Sequence, residues 1–186
     1  DNCDASVTVS FTQTTDGDAD ACPSEYTITR VWSVSDCAGN TTSHTQTITV
    51  EDNTAPTFVE ALPANTTVEC DSVPAADTLT ANDNCDASVT VIFNEVRTDS
   101  DSACDSEYSL ARTWTVTDCA GNETSHTQTI TVEDTTVPTF VEALPVDTTV
   151  ECDSVPAADT LTATDNCDSS VTVIFIEVSS DSACDS

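Results

Sequence analysis

Nine residues, Asp83-Asn84-Cys85-Asp86-Ala87-Ser88-Val89-Thr90-Val91, occur at three places in this chain. The first copy is Asp1 to Val9 and the third, with Ser169 in place of alanine, is Asp165 to Val173. Their cysteines, Cys3, Cys85 and Cys167, recur every 82 residues, and Trp32 and Trp114, Cys22 and Cys104, Cys37 and Cys119, and Cys70 and Cys152 keep the same step. A fixed period of this kind builds an array of small units, each needing its own core. The sequence therefore divides into 1–54, the C-terminal part of one repeat; 55–136, a complete repeat; and 137–186, the N-terminal part of the next. On this reading the sequence is a window on a longer array.

A repeat this short buries limited apolar surface, so covalent staples are useful to it. Ten cysteines in a threonine-rich chain point to disulfides and an oxidising compartment. Zinc is disfavoured, because it favours closely spaced CxxC pairs or Cys/His clusters and no two cysteines here are that close. The net charge is −31, from 34 acids against 3 arginines and no lysine. Such a chain is repelled by nucleic acid and by anionic membrane surfaces, which removes both as partners. No apolar run is long enough to span a bilayer.

The strands read clearly. Val89, Val91 and Phe93 alternate with Thr90, Ile92 and Asn94, and Val7, Val9, Phe11 and Val171, Val173, Phe175 repeat the apolar face. Tyr108, Leu110, Arg112, Trp114 and Val116 share one face of a long strand. Asp118-Cys119-Ala120-Gly121-Asn122 then reads as a hairpin turn in which glycine supplies a positive φ. The return strand places His126, Gln128, Ile130 and Val132 on one face and Thr127, Thr129 and Thr131 on the other. Shorter strands are expected at Thr57–Ala61, Thr66–Cys70 and Thr78–Ala81, punctuated by Pro56, Pro63 and Pro74. No segment has a helical period. The expected fold is all-β: tandem immunoglobulin-like antiparallel sandwiches, stapled by disulfides. Arg112 and its counterpart Arg30 interrupt an apolar face, so each needs an acceptor or a place at the rim. His44 and His126 read as rim packing.

Four stretches carry a resemblance to a known family: Thr67-Val68-Glu69-Cys70, Leu79 to Cys85, Tyr108 to Asn122, and Gln128 to Asp134. They resemble the HYR family, an extracellular immunoglobulin-like repeat, and especially its cysteine-bearing bacterial relatives. The resemblance implies an adhesion or stalk module of secreted and surface proteins, with no catalytic residues to carry over. That family often places cysteines near its first and last strands. This chain does not, so the family's disulfide pairing is not transferred.

Candidate chemistry lies at the loops. If strand 89–96 lies antiparallel to strand 108–117, Cys85 meets Cys119 and Cys70 is left for Cys104, with Cys3 and Cys37 the equivalent pair one repeat earlier. Cys70–Cys85 with Cys104–Cys119 is the alternative. The first pairing gathers Asp83, Asp86 and Asp118 at one end of a repeat, near the linker residues Glu133 and Asp134, as ligands for Ca²⁺. Loop turns made by the same side chains are the competing explanation. Asn40, Asn65 and Asn122 each begin an N-glycosylation acceptor pattern. Asp-Ser/Thr triplets at Ser72, Thr78, Ser102, Thr135, Thr148, Ser154, Thr160 and Ser182 are similar to the O-glycan acceptor of some bacterial secreted glycoproteins, although this composition generates such triplets readily. No nucleophile elbow, phosphate loop or catalytic triad is present, so no enzyme is expected. The expected function is a structural repeat segment of an extracellular stalk, fibril or filament, glycosylated and stiffened by calcium, whose partners are further copies of the repeat. The alternative is a surface adhesin whose repeats bind a glycan or protein ligand.

Overall fold

A computed structural model describes residues 7–17, 22–100 and 104–179. It is all-β, in antiparallel sheets with two disulfides, as an immunoglobulin-like sandwich requires. The strands are β1 (Thr8–Asp16), β2 (Tyr26–Ser35), β3 (Thr41–Val50), β4 (Thr57–Phe58), β5 (Thr66–Glu69), β6 (Ala81–Asn82), β7 (Thr90–Asp99), β8 (Tyr108–Thr117), β9 (Glu123–Glu133), β10 (Thr139–Phe140) and β11 (Ala163–Thr164). None of the described residues forms a helix long and apolar enough to cross a membrane.

The period is visible in the strands. β1, β2 and β3 are the counterparts of β7, β8 and β9 one repeat earlier. β1–β2 and β2–β3 are antiparallel, with Phe11 opposite Trp32 and Trp32 opposite His44. In the complete repeat the sheet order is β5-β9-β8-β7, and β4 pairs with β6 in a second, two-stranded sheet. β5 joins β9 in parallel, Val68 opposite Val132, an exception to an otherwise antiparallel plan.

The described residues fall into two compact units whose boundaries do not follow the repeat. The first comprises 1–64, 76–95 and 112–128. Its centre is Trp114, with Val116, Pro56 and Leu79 also buried. Phe93 packs on the Trp114 ring at 5.2 Å and His126 stacks on it at 6.1 Å. The segment after β4 covers this face through backbone carbonyls: Trp114 Nε1 donates to Asp77 O at 3.1 Å, a ring nitrogen of His126 lies 2.9 Å from Pro63 O, and Gln128 Nε2 donates to Ala64 O at 2.8 Å. Polar groups on the inner face are thus paired rather than stranded.

The second unit comprises 65–75, 96–111 and 129–186. Leu110, Ile130 and Val132 form its core, with Val68, Cys70, Val73 and Tyr108 packed around them. Arg97 lies over the Tyr108 ring at 3.7 Å while its Nε donates to Asp99 at 2.6 Å. β10 and β11 repeat the pairing of β4 and β6. Each of these small ladders is clasped by a glutamate. Both oxygens of Glu60 accept from Thr80, at 2.6 and 2.8 Å, and those of Glu142 accept from Thr162 at 2.6 and 2.7 Å. These bonds hold both carboxyl groups below the usual carboxylate range.

Three expectations change. The strand expected over Thr57–Ala61 shortens to two residues, and the one over Thr78–Ala81 moves on to Ala81–Asn82. Residues 171–179, expected to repeat β7, form no strand. Alternation supplies a face, but a ladder also needs a partner, and the counterpart of β8 is not in this sequence.

Candidate functional site

The site is built from two loops and a linker, all within the first unit. The hairpin turn between β8 and β9 closes through Asp118 and Asn122. Asp118 Oδ1 accepts from the Asn122 backbone N–H at 2.8 Å and Oδ2 accepts from Asn122 Nδ2 at 2.8 Å. Gly121 supplies the positive φ, +93°, that the turn needs. The preceding repeat builds the same turn from Asp36, Asn40 and Gly39, at φ +87°. There the side-chain and backbone bonds from Asn40 hold the Asp36 carboxyl below its ordinary range.

The Asp-Asn-Cys loop is a side-chain turn of the kind aspartate favours. Asp83 Oδ1 accepts from the N–H groups of Cys85 and Asp86, at 2.8 and 2.9 Å, and these bonds lower its pKa. Asp86 uses both oxygens, accepting from Ser88 N at 3.2 Å and from Cys119 N at 3.2 Å. The second bond ties this loop to the hairpin turn. Asp165 and Asp168 repeat the local turn in the next copy.

The linker closes the site. Asp52 is 4% exposed, accepts from Thr54 N through Oδ1 at 3.1 Å, and its backbone carbonyl accepts from Asn122 Nδ2 at 3.0 Å. Carboxylate oxygens of Asp52, Asp83 and Asp118 lie within 4.8 Å of one another. Oδ2 of Asp52 and Oδ2 of Asp83 are buried and accept no hydrogen bond from the protein. Burial, then the charges of Asp52 and Asp83, push the neighbouring Cys85 thiol up.

Of the five residues expected to bind metal, the structure brings together Asp83 and Asp118. Asp86 is turned to its backbone partners. Asp134 lies instead with Glu69 and Cys167 in the second unit, and Glu133 is not in either group. The third carboxylate at this place is Asp52, which Asp134 copies one period later. The linker that approaches these loops is the one preceding the repeat, and not the following one, with Glu133 and Asp134, that the sequence reading expected.

The disulfides also differ from expectation. Cys119 bonds Cys22, with Cα atoms 5.2 Å apart, and Cys70 bonds Cys167, at 5.8 Å. Neither the Cys85–Cys119 nor the Cys70–Cys104 pairing forms, and Cys70–Cys85 with Cys104–Cys119 does not form either. The expected approach of the two loops is real, since Asp86 reaches the Cys119 N–H. The Cys85 sulfur nonetheless accepts from Asn84 Nδ2, and Cys104 sits 2.8 Å from Ser106 Oγ. An argument confined to one repeat misses the thiol that its neighbour brings. Cys3, and with it the Cys3–Cys37 pairing, lies outside the described residues.

The acceptor candidates separate by exposure. Asn122 is half-buried and its Nδ2 donates to both Asp118 and Asp52, so a sugar there would displace those bonds. Asn40 is exposed, with Nδ2 donating to Asp36. Asn65 is exposed and uses its Oδ1 to accept from Thr129 N at 2.7 Å. Ser72, Thr78, Thr148, Ser154 and Thr160 are exposed, the Thr135 hydroxyl is bound by Glu69, and Ser102 and Ser182 lie outside the described residues.

The profile of one family, described as the HYR-like domain with 4 cysteines, matches residues 1–50 and 58–132, well over half of the chain. No curated protein matches.

Proposed function

Because this chain belongs to the HYR-like domains with four cysteines, a family of extracellular repeats of the adhesion type, we propose that it is a load-bearing segment of an extracellular stalk or filament. The observation that carries this reading is the disulfide pattern. Both bonds join residues 97 positions apart, one 82-residue period plus a further 15. Each therefore leaves its own repeat and enters the following one. Cys22 is the counterpart of Cys104, Cys119 of Cys37, Cys70 of Cys152 and Cys167 of Cys85. Extended along an array, this rule gives every cysteine a partner in a neighbouring repeat. Bonds placed inside a repeat would stabilise that repeat alone. Bonds placed between repeats carry tension along the array even where a sheet has opened.

Other copies of the repeat are thus the principal partners, joined covalently and in cis. Exposed Asn65 and the exposed hydroxyls of Ser72, Thr78, Thr148, Ser154 and Thr160 are places where glycans fit without displacing a described hydrogen bond to the core. The like charge of the chain, −31 overall, keeps such arrays soluble and apart.

Pulling the oxidised chain by its ends tests the reading. With both bonds intact, the covalent path from end to end omits the 96 residues between two cysteines 97 positions apart, by either route. Full extension at about 3.3–3.6 Å per residue then stops at no more than about half the length of the reduced chain. Replacing Cys22 and Cys167 with serine should then let the oxidised chain reach the full reduced length; a variant that still stops short would mean that bonds close within repeats, and the load-bearing reading fails.

A further inference from the structure

We propose that Asp52, Asp83 and Asp118 form a calcium site that fastens the linker to the loops of the repeat following it. Three carboxylates meet with oxygens within 4.8 Å of one another, and two of the residues are almost wholly buried, Asp52 at 4% and Asp118 at 7% exposure. Like charges at this range repel strongly unless something positive lies between them.

None of the contacts described places a cationic side chain at these carboxylates. The chain has no lysine. Arg30 donates to Gln13 and Gln46, Arg97 to Asp99, and Arg112 to Glu95. Of the histidines, His44 stacks on Trp32, and His126 stacks on Trp114 with a ring nitrogen at Pro63 O. The compensating cation comes from solution.

The second observation is the unused acceptors. Asp52 Oδ2 and Asp83 Oδ2 are buried and accept no hydrogen bond from the protein, while Oδ1 of each accepts within its own turn. A buried acceptor left unmade is costly, and two left in one place call for a common partner. Asp165 Oδ2, the counterpart of Asp83 Oδ2 one repeat later, is orphaned in the same way. The feature therefore belongs to the repeat and not to one loop. Asp118 is held by Asn122, yet each of its oxygens keeps a second lone pair.

The donor set selects the metal. It is all oxygen and carries formal charge −3, which suits a hard cation. Ca²⁺ takes six to eight oxygens at about 2.3–2.6 Å in a flexible geometry, which suits carboxylates already fixed by their own turns, whereas Mg²⁺ at about 2.0–2.1 Å demands a near-ideal octahedron and keeps its waters. Three carboxylates on a surface module place the affinity in the range of about 10⁻⁴–10⁻³ M found for extracellular calcium modules.

The test uses the oxidised full chain, stripped with chelator and returned to a buffer of fixed ionic strength. Calorimetric titration with CaCl₂ should show saturable binding, and the melting temperature should rise with Ca²⁺ more than with MgCl₂ at equal concentration. Asp52→Asn should weaken calcium binding at least tenfold and melt higher than the unaltered chain in chelator, because it removes repulsion. Asp83→Asn, which keeps a side-chain oxygen for the loop turn, should behave alike, and exposed Asp71→Asn should change nothing. Equal stabilisation by magnesium, or undiminished calcium binding in both Asp52→Asn and Asp83→Asn, would overturn the site. Neither result would alter the disulfide connectivity, so this proposal and the load-bearing reading fail separately.

Discussion

Arg112 and Arg30 stand at equivalent places and meet different partners. Arg112, 5% exposed, donates from Nε to Glu95 at 2.7 Å; Arg30 donates from Nε to Gln13 at 3.0 Å. Both acceptors lie 17 residues earlier, so one register serves both repeats. In the preceding repeat an amide oxygen fills the same place beside the half-buried Arg30. Glu95→Gln should cost less than about 1 kcal/mol, while Glu95→Ala, which strips an acceptor from a buried charge, should cost about 1–3 kcal/mol. Urea unfolding of the oxidised variants at neutral pH measures both, and equal losses would show that the charge itself matters. That Arg112 needed a partner was legible in its place on an apolar face. The cysteines were legible only as disulfide formers. Which thiol faces which depends on the neighbouring repeat, and no spacing within one unit reports that. Asp52 was missed for the same reason: it looks like an ordinary linker acid until the loops that enclose it are in place.

Among the elements, β8 does most of the packing. Trp114 is 1% exposed, flanked by Phe93 and His126 and capped by the Asp77 carbonyl. Trp114→Ala should cost about 3–5 kcal/mol. Trp32 repeats the ring contacts, with Phe11 at 5.3 Å and His44 at 6.1 Å, but it is only half-buried and Phe11 is 53% exposed. Trp32→Ala should therefore cost distinctly less, and thermal melts of the two variants side by side decide it. The long strands were readable because a period of two over ten residues has no other use. The segment between β4 and β6 was not. Its two-residue ladders are held by side chains reaching backbone carbonyls and by the Glu60 clasp, contacts with no periodicity to detect. The parallel pairing of β5 with β9 escaped for a related reason, since it joins strands more than sixty residues apart.

Over the whole molecule, the repeat was written plainly in the sequence, but the partition into compact units was not, because each unit gathers pieces of successive repeats. The disulfides do the same. Every peptide bond between Cys22 and Cys167 is spanned by at least one of them, and those between Cys70 and Cys119 by both. Trypsin acting on the chain, unfolded in urea without reductant, should cut after Arg30, Arg97 and Arg112. The piece ending at Arg30, the piece ending at Arg97 and the piece beginning at Thr113 should still run as one species until a thiol is added, and their separation before reduction would refute the connectivity. In surroundings rich in proteases, a single cut anywhere along such a stretch leaves a scar and not a break. The strand stays whole until an enzyme cuts every parallel route or a reductant opens the bonds, and its lifetime is set by the redox state around it more than by the number of cleavable sites it displays.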